Sequence, residues 1–341
     1  MMNLYPLVQK LLFRLDAETA HRLSLRALDL LYQLHLTALV VRTPKRLAEP
    51  VKLMGIEFPN RVGLAAGLDK NGEHINALAA CGFGFIEIGT VTPKPQAGND
   101  KPRLFRLRKD RAIINRMGFN NHGVDHLVAQ VKGSKRSCIL GINIGRNKLT
   151  ANEQAVDDYL YCLQKVYPHA DYVTINISSP NTPGLRELQH GNALYDLLLR
   201  LKQEQEVLHQ QYVYYVPLLV KIAPDLSDAE IAALAKVFIE LGIDGVIATN
   251  TTNDRSGLQD TSLAAEQGGL SGQPLTALAD HVLSELVKEL HGQLPVIAVG
   301  GIMSLADAQR KRDLGAALVQ VYTGFIYQGP ALVAELAEGL A

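Results

Sequence analysis

The chain has 341 residues, 47% of them apolar, and its 34 basic and 34 acidic side chains cancel to a formal net charge of zero. This length holds one large domain with an extension, or two average ones. The charge balance, with no basic run, argues against a nucleic-acid partner. The 3 cysteines, Cys81, Cys138 and Cys162, lie far apart without metal-ligand spacing. So odd and sparse a set fits a reducing cytoplasm and not a disulfide scaffold. No apolar run approaches the roughly 20 residues of a membrane-spanning helix, and the first residues lack the pattern of a signal peptide.

The first predicted element is a helix. Leu4, Leu7, Val8, Leu11, Leu12 and Leu15 recur at helical spacing. A break follows at Asp16-Ala17-Glu18-Thr19, and Ala20, Leu23, Ala27, Leu30, Leu31 and Leu34 form a second stripe. Lys10, Arg14, Arg22 and Arg26 occupy the opposite faces. The pattern is that of an amphipathic helical hairpin over residues 1–42, joined by a loop with Pro44 and Pro50 to a second domain over 43–341. Periodicity alone allows two placements. The hairpin either caps the bottom of the next domain (or makes a dimer contact), or it lies in a membrane interface.

From about residue 60 onward, short β-rich runs alternate with longer amphipathic stretches. The runs are Val62–Ala65, Phe85–Gly89, Ile139–Ile144, Tyr172–Ile177, Leu218–Ile222, Gly245–Ala248, Val296–Val299 and Leu318–Tyr322. Nearly continuous apolar runs suit parallel strands covered on both faces. Eight of them alternating with helical patterns predict an α/β fold, a closed (β/α)8 TIM barrel.

The residues that end these runs carry the chemistry. They read Gly67-Leu68-Asp69-Lys70, Thr90, Asn143, Asn176 with Ser178-Ser179, Lys221, Thr249-Asn250-Thr251, Gly300-Gly301 and Tyr322-Thr323-Gly324. In a barrel these carboxyl ends converge on one mouth. Turn chemistry explains Asn, Thr and Gly there, but it does not ask for two lysines. Gly300-Gly301 and Thr323-Gly324 stand where barrels often hold a phosphate on backbone amides. Gly268-Gly269-Leu270-Ser271-Gly272 is either a third amide cluster or a flexible loop. A buried Lys221 needs an anionic ligand, such as a reduced flavin, or a neighbouring carboxylate. The amides of Asn115, Asn176, Asn181 and Asn250 suit a flat ligand edged with carbonyls and ring N–H groups, and Lys70 adds a cation for a carboxylate. Ser179 has no histidine close by in sequence, and no Gly-x-Ser-x-Gly elbow is present, which argues against acyl transfer. A serine that only takes a carbon-bound proton stays open, with Thr182 and a water as relay.

Several segments together are more specific than any one of them. Ala65-Ala66-Gly67-Leu68-Asp69-Lys70, Ile86-Glu87-Ile88-Gly89-Thr90-Val91-Thr92-Pro93, Asn115-Arg116-Met117-Gly118-Phe119-Asn120-Asn121, Asn176-Ile177-Ser178-Ser179-Pro180-Asn181-Thr182-Pro183-Gly184 and Asp244–Thr252 resemble those of the dihydroorotate dehydrogenases. Serine at position 179, where class 1 has cysteine, and the N-terminal hairpin are similar to the class 2, quinone-dependent branch. The resemblance implies FMN at the barrel mouth. Its contacts come from the segment Ala66, Gly67, Leu68, Asp69 and Lys70, from Thr90, Asn143, Asn176 and Lys221, and from Thr249, Gly272, Gly301, Tyr322 and Thr323. It further implies that (S)-dihydroorotate, oxidised to orotate, meets Lys70, the segment Asn115, Arg116, Met117, Gly118 and Phe119, and Asn176, Asn181, Asn250 and Thr251. Ser179 then takes the C5 proton while the C6 hydride goes to the flavin, with Thr182 and Phe119 on the proton's way out. A membrane quinone, ubiquinone or menaquinone, accepts the electrons through a tunnel under the hairpin lined by His21, Arg106 and Tyr322. On this reading the hairpin lies on lipid, and the protein is a monomer held peripherally on the cytoplasmic side of the inner membrane, with no metal.

Two rival readings are set beside this one. Another FMN barrel, of the dihydrouridine synthase or 2-hydroxy acid oxidase type, needs a basic surface in the first case and a histidine at the mouth in the second, and neither is evident. A barrel decayed to a scaffold is expected to have lost Lys70, Ser179 and Lys221.

Overall fold

The computed structural model describes residues 5–41, 49–135 and 137–341. Eight parallel strands close into a barrel in chain order: Val62–Leu64, Phe85–Val91, Ile139–Ile144, Tyr172–Asn176, Leu218–Ile222, Gly245–Ala248, Val296–Val299 and Leu318–Val321. The last pairs with the first, Val321 beside Leu64. The predicted runs coincide with these strands to within two residues at either end. Helices between the strands pack outside, and one large apolar cluster fills the space between the two layers.

Large rings fill the lower barrel because glycines make room for them. A Cβ on Gly63 would stand 2.3 Å from the Phe85 ring, and one on Gly141 would stand 2.1 Å from the Tyr172 ring. Phe85 sits edge-on to Phe58 at 5.2 Å and to Tyr172 at 6.3 Å. Phe58 belongs to a small antiparallel pair, Val51–Leu53 with Ile56–Phe58, that plugs the bottom. With this plug below, a ligand on the barrel axis is met at the carboxyl ends of the strands. These three-residue strands are too short to show a period in the sequence.

A second sheet stands over the mouth. Ala112–Asn115 is its middle strand, antiparallel to Leu104–Leu107 on one side and to Gly269–Gly272 on the other. The glycine-rich segment 268–272 therefore includes an ordered strand.

The N-terminal hairpin consists of Tyr5–Leu12 and Ala17–Gln33, with Asp16 capping the second helix by accepting from the Glu18 and Thr19 amides at 2.8 and 3.3 Å. It docks at the mouth, which overturns the alternative placement at the barrel bottom. Tyr5 Oη donates to the Ile326 carbonyl at 2.6 Å, Gln9 to that of Tyr327 at 2.7 Å, and Arg106 to that of Leu12 at 3.2 Å. Arg103 pairs with Glu18 at 2.8 Å. Among the described residues of the two apolar stripes only Ala20 is buried, along with Phe13 and Leu25 beside them, whereas Leu7, Leu11, Leu30 and Leu34 are each more than half exposed. Leu4, Pro44 and the proposed domain boundary at 42/43 lie outside the described residues. No helix among the described residues is long and apolar enough to cross a membrane.

Candidate active site

The main cavity opens at the carboxyl ends of the barrel strands and encloses about 1000 Å³, part of it continuous with solvent. Ala66, Gly67 and Lys70 come from the first strand's end, Thr90 from the second, Asn176, Ser179 and Asn181 from the fourth, and Lys221 from the fifth. Thr249, Asn250 and Thr251 follow the sixth strand, Gly301 the seventh, and Tyr322 and Thr323 the eighth. The sheet over the mouth contributes Asn115, Gly272 and, just beyond its middle strand, Met117, Gly118 and Phe119. Four predicted residues stand behind this wall. Leu68 belongs to the apolar core. The buried Asp69 carboxylate accepts the backbone amides of Gly72, Glu73 and His74 at 2.8–3.0 Å and so shapes the loop carrying Lys70. Arg116 pairs with Glu266 at 2.5 Å and lies over the Phe105 ring. Asn143 is fully buried beneath Thr90.

Asn143 belongs to a hydrogen-bonded floor. Its Oδ1 accepts from Thr90 Oγ1 at 2.5 Å and from Asn176 at 3.1 Å, and its Nδ2 donates to Glu87 at 2.8 Å. Glu87 also accepts from Gln320 at 2.9 Å and from Tyr172 and Thr174 at 3.2 Å. Above the floor, Asn250 donates to Ser178 Oγ at 3.0 Å, and Asn181 to Asn115 Oδ1 at 3.2 Å. Buried amides paired in this way have fixed rotamers and keep their remaining donors and acceptors aimed into the cavity. The sequence reading missed Glu87, quoted only within a motif, and Gln320. Both point inward from mid-strand, where an isolated polar residue in an apolar run was the only signal.

Two cations face the cavity. Burial lowers the pKa of Lys221, with the Glu87 carboxylate opposing the shift. No acceptor among the described residues bonds its ammonium. Lys70 donates to the Gly67 carbonyl at 2.7 Å. Burial, and then the Arg103 guanidinium, bring its pKa down to about 8, against the pull of Glu18 and Asp69. Ser179 is buried against the same space, and its Oγ accepts the Asn181 amide at 3.2 Å. Thr182 Oγ1, three residues on, is buried with no hydrogen-bond partner among the described residues. No histidine, cysteine or carboxylate among the described residues lines the cavity.

The matching family model is that of dihydroorotate dehydrogenase, over residues 49–341. The chain belongs to the dihydroorotate dehydrogenase family. Its relatives include the dihydroorotate dehydrogenase (quinone) of Chromobacterium violaceum, 59% identical over 99% of this chain and 98% of that protein. The Cellvibrio japonicus protein of the same name is 58% identical over 99% and 98%. A crystal structure of DHODH from Eimeria tenella in complex with ferulenol superposes with a TM-score of 0.84, at 40% identity, over 92% of this chain and 89% of that one. The family model begins at residue 49, while the quinone-named relatives match 99% of the chain. The hairpin is therefore shared with the quinone branch of the dihydroorotate dehydrogenases. Of the tunnel residues expected from that branch, Tyr322 lines the cavity and Arg106 holds the end of the first hairpin helix. His21 lies on the second helix near Lys70 and His74; burial, and then these positive neighbours, push its pKa down to about 3. Its imidazole is thus neutral at physiological pH.

Proposed function

We infer that the chain oxidises (S)-dihydroorotate to orotate with a quinone as electron acceptor, the oxidation step of pyrimidine biosynthesis, and that it holds FMN in the barrel mouth. The observation that carries this reading is the character of the cavity: the ammonium groups of Lys70 and Lys221, a ring of amides and the hydroxyls of Ser179 and Ser271, with no histidine, cysteine or carboxylate among the described lining residues. A 2-hydroxy acid oxidase needs a histidine base there. Fit to the cofactor rests on two features. The backbone amides of Gly301, Thr323 and Gly324 line one end and donate to no oxygen among the described residues, which suits a phosphate. Lys221 offers a desolvated cation to an anionic ring edge. Bound there, FMN supplies the two-electron acceptor for the substrate's C6 hydride.

The chain's own residues bind, orient and deprotonate. The Lys70 ammonium meets the substrate carboxylate by a charge-assisted bond. Asn115, Asn176, Asn181, Asn250 and Thr251 read the ring's carbonyl and N–H edges, and Met117, Gly118 and Phe119 close over it. Ser179 Oγ takes the C5 proton. The unpartnered Thr182 hydroxyl is the next station for that proton. Leu68, Asp69, Asn143 and Arg116 act from behind the wall by fixing the loops and side chains in front of them. The exposed leucines of the hairpin beside Lys10, Arg14, Arg22 and Arg26 support a peripheral position on the inner membrane's cytoplasmic face, with ubiquinone or menaquinone reached through the hairpin, a membrane-associating unit distinct from the barrel. Anaerobic titration tests the reading: purified protein is yellow, bleaches with dihydroorotate and is reoxidised by a quinone in preference to fumarate or NAD. Protein that is colourless and takes up no FMN defeats it.

A further inference from the structure

A second cluster of chemistry-bearing side chains lies outside the cavity. His122 and His126 stand edge to face with ring centroids 4.9 Å apart. Both address one oxygen of Glu73: His126 Nε2 lies 2.9 Å and His122 Nδ1 3.5 Å from Oε1. The three ligand atoms lie within 4.8 Å of one another. Tetrahedral zinc, with bonds of about 2.0–2.1 Å, sets its ligands roughly 3.3 Å apart, so the two measured separations straddle the requirement.

The segments that carry these groups are fixed. Glu73 lies within the loop whose amides, its own included, Asp69 accepts at 2.8–3.0 Å. The His122 amide donates to Asn71 Oδ1 at 3.0 Å, and His126 stands in the first turn of the helix Val124–Gly133. Small side-chain rotations therefore complete the triangle without moving backbone. All three groups are partly exposed, so an ion can enter and keep a water as its fourth ligand.

We propose that Glu73, His122 and His126 form a binding site for a zinc-class divalent ion. Two imidazoles and one carboxylate favour zinc, nickel or copper over magnesium and calcium, which want oxygen alone. The ion ties the loop that carries Lys70 to the segment just after Phe119. Both form walls of the main cavity, so occupancy stiffens that side of the mouth. The site itself does not depend on the reaction assigned above.

The test is calorimetric titration of zinc chloride into tag-free, chelator-treated holoprotein in a Cys138→Ser background, which removes the partly exposed thiol. One equivalent binds, and affinity falls at least tenfold in Glu73→Gln and in His126→Ala. Zinc raises the Tm of the parent by a few degrees and leaves the variants unmoved. Both variants melt with the parent when no metal is present; should one of them not fold, the other with His122→Ala carries the comparison. Binding that is unchanged in the variants, absent in the parent, or matched by magnesium chloride overturns the site.

Discussion

Asn143 Nδ2 donates to Glu87 Oε1 at 2.8 Å, and this bond joins the cavity wall to a carboxylate sealed in the barrel's middle. Through Asn143 the floor reaches Thr90 and Asn176, both at the mouth. Glu87 also opposes the effect of burial on Lys221. On the proposed function, Glu87 is a positioning residue for the cofactor end of the site.

Glu87→Gln puts an amide N–H₂ against side chains that donate to Glu87 in the native protein. A buried donor left without an acceptor costs about 1–3 kcal/mol. The variant is expected to show a lower Tm and weaker FMN retention on gel filtration, with the proton step at Ser179 little changed once FMN is supplied in excess. Unchanged melting and retention would show that the floor tolerates the swap and that Glu87 positions nothing.

Ser179→Ala removes the proposed base and leaves the proposed cofactor contacts in place. General base catalysis contributes about 10²–10⁴-fold. Flavin bleaching by dihydroorotate, followed by stopped flow at neutral pH, is expected to slow by that factor while the bound-flavin spectrum persists. Bleaching at the parent rate assigns the proton to another group.

Much of this was legible in the sequence, and the reasons differ by element. The eight barrel strands showed because burial on both faces makes each a continuous apolar run; Ile139–Ile144 and Leu218–Ile222 match to the residue. The cavity residues on the barrel's own rim, such as Thr90, Lys221 and Thr249, showed because each ends or follows such a run. The plug at Val51–Phe58 and the sheet over the mouth did not show, since pairs of three- and four-residue strands are fixed by tertiary contacts. Leu68, Asp69, Arg116 and Asn143 sit in the right segments, but a segment does not reveal which neighbour faces the cavity and which faces the core. The hairpin's placement needed coordinates: Arg103, Arg106 and Arg108 anchor it from a part of the chain about 90 residues away.

The two forms of Lys70 predict a pH dependence. With its pKa lowered to about 8, the ammonium is present below that pH and is lost as pH rises through it. On the proposed binding role the substrate carboxylate bonds the charged form, so kcat/KM for dihydroorotate is expected to fall above pH 8, by about tenfold per unit at the limit. Lys70→Met abolishes this limb and lowers kcat/KM at pH 7 by roughly 10- to 150-fold, the worth of a hydrogen bond to a charged group at about 1.5–3 kcal/mol. An alkaline limb that persists in Lys70→Met belongs to a different group.

The hairpin yields the last prediction. Leu7 and Leu11 are 61% and 64% exposed on a helix whose docking contacts, Tyr5 to Ile326 and Gln9 to Tyr327, use other side chains. Converting both to glutamate therefore leaves the docking intact and changes the outward face alone. Each leucine buried in lipid is worth about 1.5–3 kcal/mol, so the Leu7→Glu/Leu11→Glu variant is expected to bind vesicles of anionic lipid at least about 100-fold more weakly. Bleaching by dihydroorotate should be unaffected, because the cavity is untouched. Turnover with a long-chain quinone dissolved in the vesicles should fall with the binding, and turnover with a short-chain, water-soluble quinone should fall less. That difference separates a membrane role from damage to the quinone's path: equal losses with both quinones locate the defect in the path, and full vesicle binding by the variant removes these leucines from the lipid contact.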